Sequence, residues 1–274
     1  MKAPIFKLDG SSGTELELPQ IFSAPVRQDL ASRVFWMAFT HKIQPQGVDP
    51  WAGMRTSART YNPPTGRGIS RVPRVQGDRH PRSGMAAGIA SVVKGRQAHP
   101  PRSEKRIWKR INRKERRLAI AAAIAATARK ELVNARGHRV EGVANLPLVV
   151  TDSIQSLTKT KDLRSSLRSL GLTEELSRLA KGRKRNSGKS ALRGRVHRVP
   201  TGPLLVVADD QGISRAAGAL GLDSTRTKDL NITLLAPGGE AGRLVIWSES
   251  AIQQISPVIQ DAGERLFMCA TANR

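Results

Sequence analysis

The 274-residue chain is poor in cysteine and in aromatic side chains: Cys269 stands alone, and Phe, Trp and Tyr together make up 4%. A single cysteine excludes an internal disulfide and predicts a reducing, cytoplasmic compartment. Long apolar runs are also missing. The longest candidate is the Ala-rich Leu118–Ala128, short of the roughly 18 residues a membrane-spanning helix needs. The opening residues, MKAPIFKLDG, lack the apolar core of a secretory signal. Acidic residues are scarce too, 22 against 46 Lys and Arg, which leaves a formal net charge of +24. That imbalance predicts a polyanionic partner. Nucleic acid is the first candidate, because each cation that neutralises a phosphate also releases condensed counterions.

The cations are gathered, not spread. Residues 44–117 carry 18 basic side chains against Asp49, Asp78, Glu104 and Glu115. Residues 181–198 carry Lys181, Arg183, Lys184, Arg185, Lys189, Arg193, Arg195 and Arg198 with no acid. The other 182 residues hold 20 basic and 18 acidic groups. An ordinary surface mixes its signs. Here a nearly neutral body carries two concentrated cationic segments.

Turn residues and apolar periodicity divide the chain. Two short strands, Pro4–Leu8 and Thr14–Leu18, are predicted around a turn at Asp9–Gly13, followed by a helix over Val26–Ile43. From Gln44 to Ser103, Gly and Pro recur every few residues and too few apolar side chains remain to build a core. Glu104–Arg136 reads as one long helix, cationic in its first half and Ala-rich in its second. Beyond it, strands at Leu146–Thr151, Pro203–Ala208 and Arg243–Trp247 alternate with helices at Ser156–Leu170, Thr173–Ala180, Ile213–Leu220 and Glu249–Ile259. This alternation predicts an α/β fold, a mostly parallel sheet flanked by helices, with a long irregular extended loop inserted between the first two helices. The body is residues 1–43 and 104–274, the loop is 44–103, and 181–198 forms a basic loop within the body.

Three features invite an enzymatic reading. Gly182–Ser190, GRKRNSGKS, ends like a phosphate-binding loop, but five residues separate its glycines where four are required, and a charge run precedes it in place of a strand. Asp152, Asp209 and Asp210 lie at strand ends, where doubly wound enzymes place catalytic groups and where helix caps also lie. No GxGxxG follows either strand, and capping is the reading preferred. His41, His80, His99, His138 and His197 are scattered without metal-ligand spacing; His80, His99 and His197 fall in cationic segments, where contact with RNA is expected. No catalytic residue, cofactor or metal is predicted.

The loop has the chemistry of an RNA ligand. Arg55, Arg59, Arg67, Arg71, Arg74, Arg79, Arg82, Lys94, Arg96 and Arg102 punctuate it, nearly all Arg. A guanidinium pairs bidentately with phosphate and stacks on bases, which an ammonium does not. Trp51 and Tyr61 offer stacking faces. Glycine would allow close approach to a nucleic-acid backbone. Folded out and back, about 30 residues per arm reach at most roughly 100 Å. Unbound, such a segment is expected to be disordered, since ordering costs on the order of 1 kcal/mol per residue with no core to offset it. In the helix predicted from Glu104, the cations Lys105, Arg106, Lys109, Arg110, Arg113, Lys114, Arg116 and Arg117 would wrap most of the circumference, with Trp108 among them.

Several ordered motifs carry a resemblance. They are Gly66-Arg67-Gly68, Arg71-Val72-Pro73-Arg74-Val75, Lys94-Gly95-Arg96-Gln97-Ala98-His99-Pro100-Pro101, Asn112-Arg113-Lys114-Glu115-Arg116, Ala236-Pro237-Gly238-Gly239, Gly242-Arg243-Leu244 and Glu249-Ser250-Ala251. In this order and spacing, over residues 1–265, the chain resembles the L-four family of large-subunit ribosomal proteins in its archaeal type. The chain ends soon after the last predicted helix, without the long basic extension of eukaryotic members, which fits that branch. The resemblance implies a body on the subunit surface, a loop buried in large-subunit rRNA, and neighbouring large-subunit proteins as partners. It implies early entry into subunit assembly and a loop tip, near Tyr61–Val75, that helps form the peptide exit tunnel. Arg67, Arg71 and Arg74 would then lie nearest the tunnel wall and the nascent peptide. A nucleotide-dependent enzyme using the strand-end aspartates and a DNA-compacting protein remain as alternatives.

Overall fold

A computed structural model describes residues 1–60 and 66–255. Tyr61, the rest of the predicted tip up to Thr65, the end of the predicted last helix and Cys269 lie outside the described residues. The chain divides into two compact units, residues 1–40 with 109 onward, and residues 41–108.

The elements run as follows. Strand β1 (Lys2–Phe6) turns into β2 (Ser12–Glu17), and a 3-10 turn at Gln20–Ser23 leads to helix α1 (Gln28–Thr40). Within residues 41–108 the regular pieces are β3 (Arg59–Thr60) and β4 (Pro73–Arg74). Then come α2 (Arg113–Thr127), α3 (Lys130–Ala135), β5 (Leu148–Val150), α4 (Thr160–Ser169) and α5 (Thr173–Gly182). Next are β6 (Lys184–Arg185), α6 (Gly188–Leu192), β7 (His197–Arg198), β8 (Leu204–Val207) and α7 (Ile213–Leu220). Strand β9 (Asp223–Arg226), α8 (Ile232–Leu235), β10 (Val245–Ser248) and α9 (Glu249–Gln253) complete the order.

The larger unit is built on a six-stranded sheet in the order β2-β1-β5-β10-β8-β9. β2 is antiparallel to β1, and every other pairing is parallel. The short runs LVV, LLVV and VIWS are buried at every position, as strands covered on both faces must be. Alternate side chains serve opposite faces. Val149, Leu204, Val206 and Trp247 join α1 and α2 in one core, while Leu148, Val150, Leu205, Val207 and Ile246 join α4 and α7 in the other. Trp247 is fully buried and meets Phe22 edge to face at 5.5 Å. Helix α2 is buried through Ala119 and the run Ala121–Thr127, its small side chains letting α1 pack closely.

The long helix predicted over Glu104–Arg136 is corrected on both sides. Residues 104–112 are not helical. As a helix they would stack Lys105 on Lys109, Arg106 on Arg110, Lys109 on Arg113 and Arg110 on Lys114. Like-charged pairs at this spacing each cost roughly 0.2–0.5 kcal/mol. The Lys109 N–H instead donates to Thr40 Oγ1 at 3.1 Å. The helical run also breaks at Arg129, whose backbone is extended and whose guanidinium donates to the Ala24 carbonyl. The argument that cations encircle a helix therefore holds only from Arg113 onward.

Candidate nucleic-acid interface

Residues 41–108 make a folded-back strap without a core. Arg59 pairs with Arg74 and Thr60 with Pro73 across β3 and β4, and Arg74 bridges to Ala86 on its other side. The Val75 N–H donates to the Met85 carbonyl and the Val48 N–H to that of Pro101. Glycines allow close backbone approach: a Cβ on Gly53 would lie 2.5 Å from the Gly95 carbonyl carbon in the other arm, and one on Gly95 would lie 1.9 Å from Ile89 O in its own arm. This revises the sequence reading, since these two glycines admit the protein's own backbone. None of the described residues in this unit is buried. Hydrophobic burial therefore contributes little to holding its shape.

Of the residues predicted to bind RNA in this unit, Trp51, Arg55, Arg59, Arg67, Arg71, Arg79, Arg82, Lys94, Arg96, His99, Arg102, Lys105 and Arg106 are all exposed. Arg74 is half-buried: its Nη1 donates to the Gly84 carbonyl at 2.9 Å and its Nη2 to Ser70 Oγ, so it braces the strap. Arg55 pairs with Asp49 at 2.5 Å. No other residue of the set makes an ion pair among the described residues. Trp108 stacks on His41, ring centroids 6.1 Å apart and planes 13° apart. The His80 Nδ1 accepts from the Arg82 N–H in a local turn.

In the larger unit, exposed Lys109, Arg110 and Arg113 lead into α2. Arg113, Lys114, Arg116 and Arg117 crowd the helix end that is already positive through its dipole, with Glu115 the one acid in the first turn. The 181–198 tract is ordered, and so not the bare loop its composition suggested. β6 and β7 pair antiparallel, Asn186 Nδ2 donates to the Arg195 carbonyl, and α6 turns the chain between them. Arg183, Lys184, Arg185, Lys189, Arg193, Arg195 and Arg198 are exposed, and none pairs with an acid among the described residues. Both small ladders set cation opposite cation: Arg59 against Arg74, and Lys184 against Arg198. Like charges directly opposite destabilise a strand pair unless something neutralises them.

Comparison with known proteins supplies the family. Residues 16–258 match the model of the ribosomal protein L4/L1 family. The chain belongs to that family. The large ribosomal subunit protein uL4 of Methanosphaera stadtmanae is 44% identical over 260 residues, covering 94% of this chain and 98% of that protein. That of Methanocaldococcus jannaschii is 44% identical over 256 residues, covering 93% and 98%, and that of Methanopyrus kandleri 42% over 254 residues, covering 92% and 97%. All are archaeal, which is the type the motifs resemble.

An L4/L1 protein is a structural ribosomal protein and not an enzyme, and the strand-end carboxylates have structural work. Asp152 Oδ1 accepts from the Ser250 N–H at 3.0 Å, from Ser250 Oγ at 2.6 Å and from Gln155 Nε2 at 3.0 Å. It thus caps α9, the helix after a neighbouring strand, and not the turn in which it sits. Asp210 Oδ1 accepts the N–H groups of Gly212 and Ser214 at the start of α7. A hydrogen bond from the Ser214 side chain is the largest cause holding its carboxyl below the usual range. Asp209 is exposed and donates its N–H to Gln155 Oε1.

Two buried clusters escaped sequence reading. His138 Nδ1 lies 2.7 Å from Glu175 Oε1, and the same carboxylate accepts from Arg178 and from the Arg139 N–H. Arg243 is buried and donates to the carbonyls of Gly202 and Leu234 and to Asp223. Glu175 lies 37 positions from His138, and no local pattern links them.

Proposed function

We propose that this chain is the uL4 constituent of the large ribosomal subunit in the cytoplasm, binding large-subunit rRNA through residues 41–117 and 183–198. The observation that carries this reading is the concentration of mostly exposed cations, of which Arg55 alone has an acidic partner among the described residues, arranged even across strand pairs where they repel one another. Phosphates lying between the charges would remove that repulsion and turn it into attraction. The coreless strap supports burial in folded RNA, and entry before that RNA closes accounts for an early role in assembly. Arg67, Arg71 and Arg74, within the predicted tip, are the groups offered to the exit tunnel and its nascent peptide, and Arg74 also braces the strap through Gly84 and Ser70. Other large-subunit proteins are its protein neighbours.

Sedimentation tests the assignment. The native protein should travel with the large subunit and stay there after a high-salt wash, because a strap enclosed by RNA cannot leave by charge screening alone. Release at moderate salt, together with equal affinity for duplex DNA and rRNA fragments, would favour a DNA-compacting protein instead.

A further inference from the structure

Among the described residues, helix α1 carries an aromatic face that is left largely exposed. Ala31 and Val34 on one side are buried against the core. On the other, Phe35, Trp36 and Phe39 pack on one another, with centroids 5.7 Å apart for Phe35–Trp36 and Trp36–Phe39 and 6.1 Å for Phe35–Phe39. Trp36 is 51% and Phe39 41% exposed. From Val34 to Phe39 the helix is apolar all round, a pattern that belongs to helices covered on every side. The chain has only four tryptophans, and among them Trp247 alone is buried, so an exposed Trp here is not surplus core material.

The neighbouring charge says what covers this face. Arg33, Trp36 and Thr40 form one stripe of α1 at helical spacing. Arg33 reaches Glu115 at 3.6 Å, and Thr40 accepts from the Lys109 N–H, so the segment from Lys109 to Glu115 runs along that stripe. Its exposed Lys109, Arg110 and Arg113 make no ion pair among the described residues. An aromatic platform edged by free cations has the two parts a single-stranded nucleic acid needs, π-faces for bases and positive charge for backbone. A protein partner would have to cover the unpaired charges of Lys109, Arg110 and Arg113 beside the aromatic face, and charged residues are depleted at the core of protein interfaces.

We propose that unpaired bases of the large-subunit RNA stack on Trp36 and Phe39 while their phosphates lie against residues 109–113. This rests on the rRNA-binding reading above and adds a second, stacking contact on the body. The test is titration of the full chain with a short oligoadenylate and with a blunt RNA duplex of equal phosphate number. Salt is set high enough to screen much of the phosphate contribution. The double substitution Trp36→Ala and Phe39→Ala should weaken oligoadenylate binding by about ten-fold or more and leave duplex binding within about two-fold. Trp36→Phe should keep most of the oligoadenylate affinity. Unchanged oligoadenylate affinity in the double variant overturns the proposal. Equal weakening on both probes overturns it too, by showing a general loss of structure. If the double variant binds oligoadenylate normally yet fails to enter the large subunit, the face receives a protein and the proposal is wrong. Should the unaltered protein bind neither RNA, the rRNA reading itself falls.

Discussion

A chain lacking residues 55–90 should fold and should not enter the large subunit stably. The first half follows from burial: the deleted segment contributes no buried side chain to the body, so unfolding of the larger unit keeps its midpoint. The ends also close easily, because Gly53 and Gly95 already stand in backbone contact. The second half follows from charge. The segment removes Arg55, Arg59, Arg67, Arg71, Arg74, Arg79 and Arg82, and with them roughly six phosphate contacts once Arg74 is set aside as a brace. At about −0.7 to −0.9 per contact, the slope of log affinity against log salt should flatten by about 4–5. Near physiological salt this amounts to on the order of a thousand-fold in affinity. Particles assembled with the shortened chain should lose it in a salt wash. Full incorporation at normal stability would remove the strap from the functional account.

Glu175→Ala should be the most damaging single substitution in the body away from the sheet. Its side chain is inaccessible to solvent, and its two oxygens serve His138, Arg178 and the Arg139 N–H. Removing the carboxylate leaves the buried His138 and the half-buried Arg178 without their acceptor, at a cost of about 3–5 kcal/mol. Urea unfolding measures it as a lowered midpoint with unchanged slope. The same group gives the fold an acid limit. Burial alone would raise this carboxyl, but the hydrogen bonds from Arg178, His138 and the Arg139 N–H outweigh it and hold it at about 2. A carboxyl depressed in the folded state stabilises above its unfolded value, about 4.5, and loses that contribution as pH falls toward 2. The wild type should therefore lose stability below about pH 4.5, and the Glu175→Ala variant should lose less over that window. Identical acid curves for the two would refute the assignment.

What the sequence made legible was whatever depends on local periodicity. The helix predicted over Ile213–Leu220 is α7 with the same bounds, and the apolar runs around Leu148, Leu204 and Val245 are the central parallel strands. Strand β9, Asp223–Arg226, was missed because an edge strand of a parallel sheet keeps only part of itself buried; here Thr225 alone faces in. The cationic segments were visible by count, but whether each formed helix, ladder or turn depended on contacts between distant residues. Thr40 to Lys109, Asn186 to Arg195 and Asp152 to Ser250 are such contacts, and no spacing rule reveals them. The aromatic face of α1 was hidden for a related reason. Phe35, Trp36 and Phe39 lie in an apolar stretch of the helix, and only the burial of Ala31 and Val34 shows which face the core takes.

Hydrogen exchange of residues 41–108 in the isolated protein, repeated with its rRNA bound, tests the central claim most directly. The account predicts amides exchanging nearly as fast as an unfolded chain when the protein is alone, and strong slowing on the RNA, while amides of β5, β8 and β10 stay protected in both. A strap already as protected as those strands without RNA, and unaltered by it, would contradict the account.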